Sequence, residues 1–394
     1  MSLSKRIRAI SPSPTLAIDA KSKQMVADGI DVVNFSVGEP DFDTPDHIKE
    51  AAIKAIHDGF TKYTAAAGIA ELKKVICKKF VDDNGLEYSP DQIVVSVGAK
   101  HSLFNAYQAL LDEGDEVILQ APYWVTYPEV IKLAGGVPVV VDTDETTGFK
   151  MTPAQIREKL TPRTKVINLN SPSNPTGAVY NRKELEAIAE IVLENNLYVV
   201  SDEIYEELVY GGVEFVSFAA LGEQVKNRTI VINGVSKSYA MTGWRIGYAA
   251  SPLDLAKGMA KLQGHVTSNP TSIAQKAAVA AIGGPKKPVR DMVKEFDKRR
   301  KHMAERVNRI PGFNCGLPDG AFYLFPNVEY YFGTEIAGRK IETSDDLAEV
   351  ILEQAKVAVV PGSGFGSPKN IRFSYATSME RIDEGLDRIE ALLK

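Results

Sequence analysis

The stretch Thr229-Ile230-Val231-Ile232-Asn233-Gly234-Val235-Ser236-Lys237-Ser238 decides the fold. Its first half is a β-branched apolar run without a polar face, which suits a strand covered on both sides rather than wetted on one. Its second half is a run of small residues ending in a lysine between two serines, a poor setting for a solvated lysine. Outward from it, similar runs recur at 93–97, 116–119, 137–141, 166–169, 198–201 and 247–250. Several of them (Val94-Val95, Val139-Val140-Val141) are again apolar on successive positions, which predicts burial between helices. Helical periodicities fill the gaps at 101–111, 129–133, 153–160 and 182–195, the last opened by Asn181 as N-cap with Glu184 three residues on. Strands alternating with helices predict an α/β layer architecture.

The chain has 394 residues, 44% of them hydrophobic, which is too long for one simple core and predicts two domains. Gly283-Gly284-Pro285-Lys286-Lys287-Pro288 breaks the alternation. After it come a long charged helix near 289–309, short strands near 321–325, 357–360 and 371–375, and a closing helix over 378–393. The expected division is a large domain over 46–289 and a smaller α+β domain over 290–394. The turn-rich segment 1–45 is expected to pack with the smaller one.

The net charge of −5 gives no field that draws in nucleic acid. The densest basic run, Lys298-Arg299-Arg300-Lys301-His302, is expected to be a solvated helix face. No apolar stretch suits a signal peptide or a membrane span. Cys77 and Cys315 lie far apart and read as reduced thiols, so a cytoplasmic protein is expected. No paired-cysteine or His-Glu-x-x-His pattern occurs, and no metal is expected. Pro361-Gly362-Ser363-Gly364-Phe365-Gly366 lacks dinucleotide-loop spacing.

In open α/β sheets ligands bind beyond the carboxyl ends of strands. Four strand ends carry chemistry. Asn174 sits in Ser171-Pro172-Ser173-Asn174-Pro175-Thr176-Gly177, where it is either a turn initiator or a donor held out by the turn. Asp202 emerges after Val199-Val200-Ser201, as a helix N-cap or a buried acid, with Tyr205 three residues later. Lys237 is followed by Arg245, whose guanidinium fork matches a phosphate. Burial or a nearby cation lowers a lysine's pKa, and the neutral amine is what attacks a carbonyl. Arg372, alone in Ile371-Arg372-Phe373-Ser374-Tyr375, is costly to bury without a carboxylate, and by itself reads as an arginine snorkelling at a strand edge. A pyridoxal-phosphate site needs these parts together: a lysine, an acid for the ring nitrogen, cations and amides for the phosphate, and an arginine for the substrate carboxylate.

Ser236-Lys237-Ser238-Tyr239-Ala240-Met241-Thr242-Gly243-Trp244-Arg245-Ile246-Gly247-Tyr248 resembles the pyridoxal-lysine signature of the class I aminotransferases. Gly38-Glu39-Pro40-Asp41-Phe42, Tyr63, Tyr123-Trp124, Asn174-Pro175-Thr176-Gly177, Asp202-Glu203-Ile204-Tyr205 and the arginine of Arg372-Phe373-Ser374 follow the family's order over nearly the whole chain. The bacterial Ib aspartate-using subgroup is the part of the family it most resembles.

The resemblance implies fold type I, a large domain with a mostly parallel seven-stranded sheet and a smaller closing domain, in a homodimer with shared active sites. It implies pyridoxal 5'-phosphate held as a Schiff base by Lys237, which then moves the substrate's Cα proton. Asp202 would pair with the ring nitrogen, Asn174 and Tyr205 would hold the phenolic oxygen, and Trp124 would stack on the ring. Arg245, Ser236, the amides of Ala99 and Lys100, and Tyr63 from the second subunit would hold the phosphate. Arg372 would clamp the substrate α-carboxylate beside Gly38. Trp124 and Asn174 would also border the substrate. Gly234 stands where some relatives carry a phosphate-binding serine, and Ala99 where glycine is common.

For the substrate, Lys100 with Ser13 and Thr15 implies a distal carboxylate, hence L-aspartate and 2-oxoglutarate converted to oxaloacetate and L-glutamate by a ping-pong exchange. The residue alone leaves open a solvated lysine at a helix start. The same residues are associated with prephenate as acceptor, so an aspartate/prephenate enzyme is the nearest alternative. Further off stand a carbon–sulfur lyase on the same fold and a non-catalytic effector-binding domain. Lys100 and the Gly38–Phe42 segment argue against the first, and the lack of a DNA-binding extension argues against the second.

Overall fold

The structure, a computed structural model, describes residues 3–12 and 14–394. Its centre is a seven-stranded sheet of β1 (Ile93–Ser96), β2 (Glu116–Ala121), β3 (Val137–Asp142), β4 (Thr164–Asn170), β5 (Tyr198–Asp202), β6 (Thr229–Gly234) and β7 (Gly247–Ala250). Their spatial order is β1-β7-β6-β5-β4-β2-β3. Neighbours are parallel except at β7, which runs antiparallel to both β1 and β6. Each expected strand position carries a strand, with ends within two residues of the expected ones.

Alternation along β6 shows why an apolar run was needed there. Val231 faces a core with Leu72, Ile76, Phe80 and Ala277, from the helices Ala70–Asn84 and Ser272–Gly283. Ile230 and Ile232 face the opposite core with Leu103 and Tyr107 of the helix Ala99–Leu110. Both faces are therefore apolar, as a strand buried between two helical layers requires. The same reading fails at 137–141. β3 is the sheet's edge, Val137 is 45% exposed, and Val139 and Val140 are only half-buried. An edge strand has one neighbour and incomplete helix cover, so its apolar run does not report two-sided burial.

The helix Arg182–Glu194 begins as its sequence predicts. The Glu184 amide donates to Asn181 Oδ1 at 3.0 Å, and the Asn181 amide donates to Glu184 Oε2 at 2.8 Å.

A second core gathers Phe35, Phe296, Phe322, Tyr323, Ile371 and Phe373 around a three-stranded antiparallel sheet. Ile371–Ser374 is its middle strand, between Val360–Pro361 and Tyr323–Leu324. The single strand expected at 357–360 divides in two. Val357–Ala358 pairs in parallel with Val33–Asn34, whereas Val360–Pro361 pairs with Ile371–Ser374. Val359 lies where the chain passes from one partner to the other, a change of neighbours to which local patterning is blind.

The basic run on the helix Lys287–Val307 is not wholly solvated. Lys298 and Lys301 are exposed, but Arg299 and Arg300 are buried. Arg299 pairs with Asp41 at 2.7 Å. Arg300 pairs with Asp297 at 2.6 Å, donates to the Pro318 carbonyl at 2.6 Å, and lies 4.8 Å over the Tyr210 ring. Consecutive helical positions straddle the buried boundary, and each planar guanidinium finds enough partners to be enclosed. Among the described residues no helix is long and apolar enough to cross a membrane.

Candidate active site

Because β4, β5 and β6 are parallel neighbours, their carboxyl ends open at one edge of the sheet. A cavity of about 190 Å³ lies there. Twelve of the expected residues border it: Thr15, Gly38, Ala99, Lys100, Trp124, Asn174, Asp202, Tyr205, Ser236, Lys237, Arg245 and Arg372. Tyr63 does not; it is 88% exposed on the outside of its own chain. Ser13 lies outside the described residues.

Lys237 follows the end of β6, and its Nζ donates to the Gly38 carbonyl at 2.5 Å. The aromatic rings of Tyr205 and Phe322 lie 5.9 and 5.8 Å from Nζ. Burial lowers the lysine pKa to about 8; Glu39 opposes the shift, while Arg372 and Arg245 add to it. A large share of the amine is therefore neutral near pH 8 and able to attack a carbonyl.

Asp202 ends β5 at 2% exposure. Tyr127 donates its hydroxyl to Oδ2 at 2.8 Å, and the Ile204 amide reaches Oδ1 at 3.3 Å. Burial raises the carboxyl pKa to about 6 despite these donors and Lys237. So enclosed a carboxylate, served by one hydroxyl and one amide, is suited to a cationic partner placed in the cavity.

Arg372 is 1% exposed, which overturns the snorkelling expectation. It sits on the middle strand of the small sheet rather than an edge, and among the described residues no carboxylate meets it. Nη1 donates to Asn174 Oδ1 at 2.9 Å and Nη2 to the Ser36 carbonyl at 2.7 Å. The guanidinium rests 4.4 Å from the Tyr323 ring centroid and 5.1 Å from that of Phe365. Its Nε is buried with no hydrogen-bond partner among the described residues. Neutral acceptors and π faces thus carry a cation whose charge stays uncompensated, which is what an anion-binding arginine requires.

Arg245 is exposed at the opposite rim, in the left-handed region (φ 56°), with Nη1 bonded to the Thr242 carbonyl at 2.7 Å. A side chain at Gly98 would run into this guanidinium. Gly98 precedes the helix Ala99–Leu110, so arginine and helix N-terminus together form an anion-binding corner. At Gly234 a Cβ would come within 3.0 Å of the Gly247 backbone, so a serine there would crowd β7. Lys100 Nζ lies 5.0 Å from the Trp124 ring, and burial of its ammonium end together with Arg245 lowers its pKa.

Five wall residues were missed from sequence: Tyr127, Asn170, Ile204, Thr242 and Tyr323. Tyr127 had a readable signal, three residues after Trp124 and on the first turn of the helix Thr126–Leu133. Asn170 likewise ends β4, and its Oδ1 accepts from the Asn174 amide at 2.9 Å. Tyr323 gave none, since its place depends on its register opposite Ser374.

The sequence profile of the family "Aminotransferase class I and II" matches residues 30–389. An aspartate aminotransferase of Geobacillus stearothermophilus is 52% identical over 394 residues, spanning 100% of this chain and 99% of that protein. A probable aspartate/prephenate aminotransferase of Aquifex aeolicus is 49% identical, spanning 100% and 98%. The solved structure of aspartate aminotransferase from Thermus thermophilus with maleate superposes with a TM-score of 0.94 at 42% identity, covering 100% of both chains. With the sheet order and a cavity lined together by Asp202, Lys237 and Arg372, these matches establish that the chain belongs to the class I and II aminotransferase family.

Proposed function

We propose that this chain is an aspartate aminotransferase that moves the amino group of L-aspartate to 2-oxoglutarate, with pyridoxal 5'-phosphate as cofactor and a homodimer as working form. The convergence of Asp202, Lys237 and Arg372 on one cavity carries the reading. The cavity suits the cofactor on its own chemistry: a buried acid short of a cation, an amine shifted toward neutrality, and an anion-binding corner at Arg245 and Ala99.

When bound, pyridoxal phosphate supplies a conjugated electron sink for the substrate's Cα electrons. Asp202 holds the proton on the ring nitrogen. Tyr205 and Asn174 hold the phenolic oxygen, and Trp124 covers the ring. Ser236, Arg245 and the amides of Ala99 and Lys100 receive the phosphate, with Tyr63 supplied by the second copy of the chain. The 88% exposure of Tyr63 supports that last assignment. Arg372 binds the substrate α-carboxylate through the guanidinium N–H groups left over from its bonds to Asn174 and Ser36, beside the Gly38 backbone. Lys237 Nζ takes the proton from Cα and returns it on the other side of the exchange, a role worth ~10²–10⁴ in rate. A division at residue 289 puts Lys237 and Asp202 on one part and Arg372 on the other, so the site draws on both parts. The two free thiols, Cys77 and Cys315, support a reducing, cytoplasmic setting.

Lys100, with Thr15 and Ser13, is the proposed seat of the distal carboxylate. The Thermus thermophilus aspartate aminotransferase is solved with maleate, itself a dicarboxylate, which supports an acidic substrate. Lys100→Ala is expected to raise KM for aspartate and glutamate roughly 10- to 100-fold, the worth of one charge-assisted contact. KM for monocarboxylic donors stays unchanged. A second cavity of about 430 Å³ opens beside Lys100, bordered by Tyr123, Glu129 and Lys132, and offers room for a larger acceptor such as prephenate. Steady-state rates with oxaloacetate, 2-oxoglutarate and prephenate side by side test both readings. Failure with both dicarboxylates would overturn the aspartate assignment.

A further inference from the structure

Tyr205 and Tyr323 share a hydrogen bond of 2.9 Å between their hydroxyls, and in this pair either oxygen can donate. Both side chains are buried, at 3% and 0% exposure, and the pair meets edge to face with ring centroids 6.0 Å apart. Tyr205 comes from the loop after β5, whereas Tyr323 comes from the small sheet, in register with Ser374 two residues beyond Arg372. The Tyr323 ring is also the surface on which the Arg372 guanidinium rests, 4.4 Å away. On its other side, a Cβ at Gly38 would lie 2.8 Å from the Tyr323 hydroxyl, so the Gly38 backbone passes directly over it. The carbonyl of that same glycine accepts from Lys237. One hydroxyl thus stands where the lysine loop, the cofactor tyrosine and the carboxylate arginine meet.

A phenol has one proton to donate. If Tyr205 gives its proton to the cofactor's phenolic oxygen, its own oxygen is left to accept, and the neighbour 2.9 Å away is Tyr323. We propose that Tyr323 is a positioning residue that donates its hydroxyl proton to Tyr205 and so strengthens the bond Tyr205 makes to the cofactor's phenolic oxygen. This inference rests on the cofactor reading above. Hydrogen bonds in a chain polarise one another in a low-dielectric site, so a donor behind Tyr205 makes its O–H the stronger donor. The stronger donor favours the deprotonated phenolic oxygen and lowers the pH at which the bound chromophore titrates. Because Tyr323 and Arg372 stand on neighbouring strands of one sheet and touch, seating a carboxylate on Arg372 and tuning the chromophore become linked.

The test is a pH titration of the visible absorption band of the cofactor-loaded dimer, without substrate, in wild type, Tyr323→Phe, Tyr205→Phe and the double variant. Phenylalanine keeps the ring under Arg372, and an unchanged melting temperature reports that the core is intact. The charged groups facing the cavity (Asp202, Lys237, Arg245, Lys100 and Arg372, with Glu39 bonded to Thr242) are the same in all four proteins. Tyr323→Phe is expected to move the titration midpoint up by roughly half a pH unit. Tyr205→Phe moves it further, and adding Tyr323→Phe to Tyr205→Phe moves it no more. A midpoint left in place by Tyr323→Phe, or moved equally in both backgrounds, would overturn the relay. A wild-type protein with no titrating band would instead defeat the cofactor reading.

Discussion

Lys237→Ala is expected to remove turnover and the visible absorption band of the holoenzyme together. The reason is specific to where the amine sits. Its Nζ is held by the Gly38 carbonyl, and its pKa is brought down to about 8 by burial, with Arg372 and Arg245 assisting. Among the described residues the cavity wall holds one other lysine, Lys100, whose Nζ lies against the Trp124 ring, whereas the charge of Lys237 acts on Asp202. Alanine therefore removes both the covalent attachment and the proton carrier. Loss of the carrier alone costs ~10²–10⁴ in rate. Steady-state assays and absorption spectra of the variant reconstituted with pyridoxal phosphate check both halves. A variant that keeps the band and measurable turnover would remove Lys237 from the centre of the mechanism.

Asp202→Asn is expected to cost activity while gaining stability, and the two effects have one origin. The wild-type carboxyl is buried, and its pKa is raised to about 6, above the unfolded value near 3.9. Above pH 6 it is charged in both the folded and unfolded protein, and the fold alone bears the burial cost. As pH falls from about 6 toward 4 the folded form takes up its proton first, and the cost disappears. The cofactor-free variant is therefore more stable than wild type by roughly 3 kcal/mol at pH 7 and by little at pH 4. Asparagine still accepts from Tyr127 but offers no charge to a ring nitrogen. Losing a buried charge partner is worth ~3–5 kcal/mol, so kcat falls by roughly 10²- to 10⁴-fold. Melting curves of the cofactor-free proteins at the two pH values, with kcat of the loaded ones, measure each half. A destabilised variant at pH 7, or one with unchanged kcat, would contradict the argument.

The sequence reads well where local pattern and tertiary burial ask for the same residues. β5 and β6 lie inside the sheet with helices on both faces, so Val199-Val200 and Ile230-Val231-Ile232 are apolar throughout and legible as strands. Asp202 and Lys237 are legible for the related reason that a polar residue at the end of such a run has left the sheet. β3 shows the limit, because its valines make the same pattern at an edge where cover is partial. Arg372 shows a deeper one. Its burial depends on Asn174 and Ser36, 198 and 336 residues away in sequence, and on the Tyr323 ring. Such partners are brought together by sheet closure and leave no trace in the local pattern. Arg299 and Arg300 were misread for the same cause, since Asp41 and the Pro318 carbonyl come from distant parts of the chain.

One absorption experiment bears most directly on the claim that this cavity carries out amino-group exchange. The holoenzyme is mixed with L-aspartate alone, with no oxo-acid acceptor present, and its spectrum is followed. The visible band of the lysine-bound cofactor is expected to give way to the shorter-wavelength band of pyridoxamine phosphate, with one oxaloacetate released per active site. Adding 2-oxoglutarate then restores the original band. A visible band that persists in aspartate, or aspartate consumed with release of free ammonia, would contradict it.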